Sequence, residues 1–169
     1  MVHSIELVFD PDSEAAIRRI WEDLARAGIP SQSPAARPHV TLAVAERIAP
    51  DVDALLQPIA QQLPLAGVVA ATLLFGRTNH VLARLIVPTA ELLAMHTQIH
   101  RVCQPHVAPE LMRNSLPGQW TPHVTLARRL GGAQLGRALR IAGRPAHIDA
   151  SFTALRRWDG SKRVEHLIR

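Results

Sequence analysis

Cysteine, lysine and tyrosine are almost missing from this chain of 169 residues, which has one cysteine, one lysine and no tyrosine. The lone thiol, Cys103, excludes an intramolecular disulfide and a zinc site built on cysteines, and its place on an apolar helix side reads as inert packing. Three tryptophans and three phenylalanines complete the aromatics, too few for a platform on which a long single strand could stack base after base. No apolar run reaches the length of a membrane span. The segment Met1-Val2-His3-Ser4-Ile5-Glu6 has neither the basic flank nor the apolar stretch of a secretory leader. A cytoplasmic protein with no membrane partner is expected. A Gly-x-x-x-x-Gly-Lys-[Ser/Thr] phosphate loop and an acidic cluster for magnesium are also absent, which argues against ATP-dependent phosphoryl transfer.

What is present suits a folded protein of ordinary composition, 47% hydrophobic and 20% charged, long enough to bury a substantial core. The net charge is +5, and apart from Lys162 every basic side chain other than histidine is arginine. Guanidinium forks match phosphate oxygens, so the bias suits an anionic partner such as RNA, although a GC-rich genome would leave the same signature.

Alternation predicts a strand at His3–Phe9 with Ile5, Leu7 and Phe9 in register. Asp10-Pro11-Asp12-Ser13 then starts a helix, Ile17, Ile20, Trp21 and Leu24 recur at helical spacing, and Gly28 closes it. A Pro- and Ser-rich loop covers 29–38. A second helix is expected at 51–63, carrying Leu55, Leu56, Ile59 and Leu63. Strands at 68–75 and 80–87 flank the hairpin connector Gly76-Arg77-Thr78-Asn79. Thr89 caps a third helix running to Cys103, with Leu92, Met95, Ile99 and Val102 on its apolar face. Residues 104–119 hold three prolines and no clear period, and read as a long loop of the kind that covers active sites. A strand at 121–127, a short helix at 131–142 and a hairpin of 146–158 with 163–168 complete the chain. The order of elements repeats between the halves. It predicts an α+β, bilobal protein, in which two pseudo-twofold-related lobes line a central cleft with mostly antiparallel sheets and carry their helices outside.

The hexapeptide Pro-His-Val-Thr-Leu-Ala occurs at 38–43 and again at 122–127, a coincidence with odds of about one in a thousand at ordinary residue frequencies. In a strand, His39 and Thr41 share one face while Val40 and Leu42 share the other. The same parity separates His123 and Thr125 from Val124 and Leu126. Each copy offers an imidazole and a hydroxyl to something polar and anchors an apolar pair in a core. Two copies facing one cleft supply two groups that titrate near neutrality and two hydroxyl donors, the equipment for acid–base chemistry at a phosphoryl group.

A pair of His-x-Thr-x tetrapeptides, one per half, resembles the two-histidine (2H) phosphoesterase superfamily, and within it the RNA 2′,3′-cyclic phosphodiesterases, also described as 2′-5′ RNA ligases. The resemblance rests on His39, Thr41, His123, Thr125 and the element order. Arg128, five residues past the second histidine, matches a phosphate-binding arginine of that subgroup. The resemblance implies a single bilobal domain over 1–169 that works without metal or other cofactor; a monomer is expected, on no motif of its own. It implies hydrolysis of 2′,3′-cyclic phosphates, at RNA ends or on nucleotides, to 2′-phosphomonoesters, with 2′-5′ RNA ligation as a side activity. It further implies that His123 is the base activating water and His39 the acid protonating the departing 3′ oxygen, a polarity that the symmetric motifs alone leave open. Thr41 and Thr125 would donate to the non-bridging oxygens and Arg128 would stabilise their charge. In an unbroken strand Arg128 has the opposite parity to His123, so it reaches the same phosphate only if the strand ends or bulges near Ala127.

Trp120, just ahead of the second motif, is the candidate for stacking a substrate base, with a packing or hinge role as the alternative. Trp21 belongs to a helical apolar stripe and is assigned to the core. His96 and His100 have metal-capable spacing on a helix but no acid between them, and read as a solvated face. His80, His106, His147 and His166 carry no spacing signal. Arg37, next to Pro38, either touches the ligand or solvates its loop, and Arg113 and Arg129 serve as surface charge or gather RNA. Two other readings stand beside the cyclic phosphodiesterase. One is a phosphodiesterase for another small substrate, ADP-ribose 1″,2″-cyclic phosphate or a 2′-5′ oligonucleotide. The other is a non-catalytic module holding RNA ends by charge, which would have no need of both histidines.

Overall fold

The first strand, β1 (His3–Phe9), is buried at every residue, so its alternation does not divide a wet face from a dry one. Its position explains this. In the computed structural model, which describes residues 1–169, β1 lies between β2 (His39–Ile48) and β7 (Ile148–Asp159) and is antiparallel to both. Both edges are occupied and both faces are covered. The remaining strands are β3 (Leu65–Phe75), β4 (His80–Ile86), β5 (Val107–Leu111), β6 (His123–Leu130) and β8 (Val164–Ile168). They join one antiparallel sheet in the order β5-β2-β1-β7-β3-β4-β6, with β8 paired to β7.

The two expected lobes are the two ends of this sheet, and β7 connects them. It runs for 12 residues; Ile148 to Phe152 pair with β3, and Phe152 to Asp159 pair with β1. Each lobe carries one motif strand. β2 is enclosed between β1 and β5, whereas β6 pairs only with β4 apart from a bridge from Ser31 to Ala127. Val40, Leu42, Val124 and Leu126 are all within 1% of complete burial and belong to one core cluster. Each motif therefore fixes its strand from behind, at roughly 1.5–3 kcal/mol per buried side chain.

Four helices pack against the sheet: α1 (Pro11–Arg26), α2 (Val52–Ala60), α3 (Ala90–Cys103) and α4 (Gly132–Ala142). α1 starts with proline and acids in its first turn, and Gly28 leaves it at φ 72°. The Thr89 hydroxyl accepts from the Leu92 amide at 3.2 Å and caps α3. α2 is shorter than the predicted 51–63 and turns Leu55 to solvent; Val52, Leu56 and Ile59 are its buried residues. No helix is long and apolar enough to cross a membrane.

Residues 104–119 are not the long loop expected of them. Short 3-10 turns at Gln104–His106 and Arg113–Ser115 flank β5, which pairs with β2. Prolines hid the strand, yet Pro109 is tolerated there because β5 is an edge with no further neighbour needing its missing N–H.

Arg84 is 1% exposed and has no carboxylate partner. Its guanidinium donates to the carbonyls of Ala70, Ala142, Pro145 and Ala146. The arginine therefore ties β4 to β3 and to the carbonyl-rich end of α4, where the helix dipole favours a cation.

Candidate active site

The two hexapeptides fold alike down to a shared irregularity. Thr41 opposes Glu6 while Ala43 opposes Ile5, which leaves Leu42 as an extra residue in β2. Thr125 opposes Ala83 while Ala127 opposes Leu82, which leaves Leu126 extra in β6. Each is a β-bulge, and it resets the parity of the residues beyond it. Val44 and Arg128, five residues past their histidines, thereby return to the cleft face and line both of its cavities. Arg128 thus escapes the parity objection, although β6 itself continues to Leu130.

Bulges free backbone carbonyls, and buried carbonyls need donors. Leu42 O accepts from Nε2 of His96 at 3.1 Å and of His100 at 2.9 Å, and Leu126 O accepts from the Ser31 hydroxyl at 3.2 Å. The threonine carbonyls are held symmetrically: Thr41 O by the Trp120 indole N–H at 2.9 Å, Thr125 O by that of Trp21 at 3.1 Å. His96 and His100 are accordingly 1% and 5% exposed, a correction to the solvated face expected of them. Desolvation pushes His96 down to about 4 and His100 down as well, so both are neutral donors near neutrality. The Trp120 ring lies parallel to His96 with centroids 3.9 Å apart. Of the two roles expected for Trp120, packing is the one visible, and its remaining surface lines the cavity around His123.

A carbonyl can only accept, so its partner sets the same tautomer in both motif histidines, although at His39 the Arg156 guanidinium also lies 3.3 Å from Nδ1. Nδ1–H of His39 donates to Arg37 O at 2.8 Å, and that of His123 donates to Thr121 O at 2.6 Å. The intervening Pro38 and Pro122 favour extended backbone at Arg37 and Thr121, the residues that present those carbonyls. Each reactive nitrogen is therefore Nε2. The cleft consists of two cavities: about 810 Å³ on the His39 side and about 290 Å³ on the His123 side, with Thr41, Val44 and Arg128 common to both.

The floors beneath the histidines differ. Next to Thr41 across the sheet come Glu6 and then Arg156; one step along come Val44, Ser4, Trp158 and Glu165. Glu6 and Arg156 are 3% and 5% exposed. Glu6 accepts from Ser4 Oγ at 2.6 Å and from Arg156 Nε at 2.6 Å, and its Oε1 lies 3.6 Å from Nε2 of His39. Arg156 reaches Glu165 at 2.6 Å, and Arg37 pairs with Glu14 at 3.2 Å. His123 instead rests against Phe75, with ring centroids 4.7 Å apart. Burial pushes the pKa of His123 down, the Thr121 carbonyl pulls it up, and Arg128 and His39 add to the lowering. The same hexapeptide thus presents a neutral imidazole over an apolar floor and a second imidazole beside a buried carboxylate.

The structure brings together His39, Thr41, His123, Thr125, Arg128 and Trp120 as cavity-lining residues, and adds Glu6, Arg156 and Trp158, which sequence reasoning missed. A signal existed in Glu6, an acid in the middle of an apolar strand. His106 lies elsewhere and pairs with Asp51; His80, His147 and His166 line neither cavity, and neither do Arg113 and Arg129. Cys103 is fully buried, and burial pushes its thiol up to about 12. Nowhere do three or more His, Cys, Asp or Glu side chains converge as a metal-ligand set.

The family model for the 2′-5′ RNA ligase superfamily matches residues 9–162. No curated protein sequence matches the chain. Among solved structures, Escherichia coli LigT in its apo form resembles it with a TM-score of 0.63 at 11% identity, over 99% of this chain and 94% of that one. Kluyveromyces marxianus Usb1 gives 0.54 at 10% identity over 99% and 97%, and the MHV ns2 PDE domain gives 0.51 at 16% over 78% and 85%. At such identities these likenesses describe the fold.

Proposed function

Since the chain belongs to the 2′-5′ RNA ligase superfamily, we propose that it is a metal-independent phosphodiesterase that hydrolyses 2′,3′-cyclic phosphates, at RNA ends or on nucleotides in the cytoplasm, to 2′-phosphomonoesters. The observation carrying this reading is the pair of imidazoles with identical tautomer locks and opposite floors. His123, neutral because it is desolvated, takes a proton from water through Nε2 as the water oxygen bonds to phosphorus. The bond from phosphorus to the 3′ oxygen breaks in line, and Nε2–H of His39 delivers its proton to that oxygen. The protons then return to their starting nitrogens through solvent.

Thr41 and Thr125 donate hydroxyl hydrogen bonds to the non-bridging oxygens, and Arg128 stabilises their charge from its place between the two cavities. Glu6 gives the protonated His39 an anionic neighbour before transfer. One chain supplies both imidazoles, so a monomer suffices. Joining RNA ends through a 2′-5′ bond would use the same groups with a hydroxyl in place of water.

The test is incubation with the four 2′,3′-cyclic nucleoside monophosphates and a short cyclic-phosphate RNA in excess EDTA, with the products identified. Turnover to 2′-phosphates, abolished by both His39→Ala and His123→Ala, is the expected result. Activity that needs added metal, or survives both substitutions, overturns the proposal. RNA affinity without turnover, indifferent to both substitutions, would favour the non-catalytic RNA-end module.

A further inference from the structure

In-line displacement puts the entering and departing oxygens on opposite sides of phosphorus, and the two imidazoles mark those sides. With His123 activating water and His39 protonating the departing oxygen, the water lies on the His123 side. The departing oxygen belongs to the ribose, so ribose and base lie on the His39 side. The cavities agree with this division. The one around His123 is about 290 Å³ and the one beyond His39 is about 810 Å³, the latter within the range of small-ligand pockets and much the roomier for a nucleoside.

An aromatic waits in the larger cavity. Trp158 projects from the cleft face of β7, opposite Ser4 on one side and Glu165 on the other, and is half-buried. Arg156 of the His39 network lies 5.7 Å from its ring centroid. Arg18, Arg37 and Arg163 line the same cavity. Trp120 is committed elsewhere, face to face with His96 and bonded to the Thr41 carbonyl. Resting on the cyclic phosphodiesterase reading, we infer that the substrate's nucleobase is seated against Trp158 in the larger cavity, and that Trp120 positions the first motif without stacking a base. An indole accepts any base plane, so stacking on Trp158 sets no strong preference among the four bases by itself.

Three tryptophans give three indole N–H signals in a nitrogen-15 spectrum of the intact protein, assigned by loss of one signal in Trp158→Phe and another in Trp120→Phe. Titration with adenosine 2′-monophosphate, the product, is expected to move the Trp158 signal most, whereas inorganic phosphate leaves it in place. For turnover, the ratio of kcat/KM on 2′,3′-cyclic AMP to that on the base-free methyl riboside 2,3-cyclic phosphate should fall tenfold or more in Trp158→Ala, chiefly through KM. Trp158→Phe should keep most of the ratio. Movement of the Trp120 signal in place of Trp158, or an unchanged ratio in Trp158→Ala, overturns the assignment. Absence of turnover in the unaltered protein overturns the proposed reaction instead, and the titration with product then decides by itself whether Trp158 meets a base.

Discussion

The carboxylate of Glu6 lies 3.6 Å from Nε2 of His39, and no carboxylate pairs with His123. Two identical hexapeptides are thereby made chemically unequal by their neighbours. Three strands cooperate in the difference, because Thr41, Glu6 and Arg156 stand directly opposite one another across β2, β1 and β7.

Replacing Glu6 tests that relationship from two directions. Glu6→Gln keeps the shape and the acceptor oxygen but removes the charge beside His39, the acid of the proposed reaction. It should lower kcat about tenfold with little change in KM, a fraction of what general acid catalysis supplies. Glu6→Ala leaves Arg156 buried with Glu165 as its sole carboxylate partner. It should cost about 3 kcal/mol in urea unfolding, by analogy with broken buried ion pairs.

Arg128 reaches the cleft only because of the bulge at Leu126. Arg128→Ala should reduce kcat about a hundredfold, the scale for removing one preorganised donor to developing charge. Arg128→Lys should recover part of that loss, since a point charge is restored without the fork. Steady-state kinetics on a cyclic nucleotide distinguishes the two, and a loss confined to KM would place Arg128 in ground-state binding.

The repeated hexapeptide made the motif strands, their faces and four of the cleft side chains legible in the sequence, because period-two alternation and a duplicated polar pair are local signals. Arg128 was legible as a matched position but not as a geometry: a bulge is visible only against a partner strand. Non-local pairing likewise hid Glu6 and Arg156, which are 150 residues apart in the chain and neighbours in the sheet. His96 and His100 misled for a related reason. Both reach the carbonyl of Leu42, and His96 also reaches that of Ser115 at 2.9 Å; nothing in the amino-acid order reveals a backbone oxygen left unpaired by a bulge.

That buried pair gives folding a pH dependence. His96 titrates near 6.5 when unfolded and is pushed down to about 4 in the fold. Between those values the unfolded chain binds the extra proton, so stability is full above pH 6.5 and falls as pH drops towards 4. The loss attributable to His96 is about 3 kcal/mol at the lower end, and His100, shifted in the same direction, adds to it. Urea midpoints measured from pH 7.5 to 4.5 should show the decline, and His96→Gln, which cannot take up that proton, should flatten it. A midpoint equally steep in His96→Gln would assign the acid sensitivity to other groups.

The same logic applied to His123 predicts a movement in activity. Burial is the largest cause of its lowered pKa, and the Phe75 ring is part of what buries it. His123 stays deprotonated to lower pH than a free imidazole, so if it is the base, as proposed, the acid limb of kcat/KM should lie below pH 6.5. Phe75→Ala admits water beneath the imidazole and relieves the desolvation, which raises the pKa and moves that limb to higher pH. The variant should therefore lose activity at pH 5.5 to 6.5 more than at pH 8, where both proteins carry a neutral His123. Profiles of kcat/KM on a 2′,3′-cyclic nucleotide across pH 5 to 9 check this. A limb that moves to lower pH in Phe75→Ala would mean that burial is not what keeps this imidazole neutral, and that Arg128 and His39 set its charge instead.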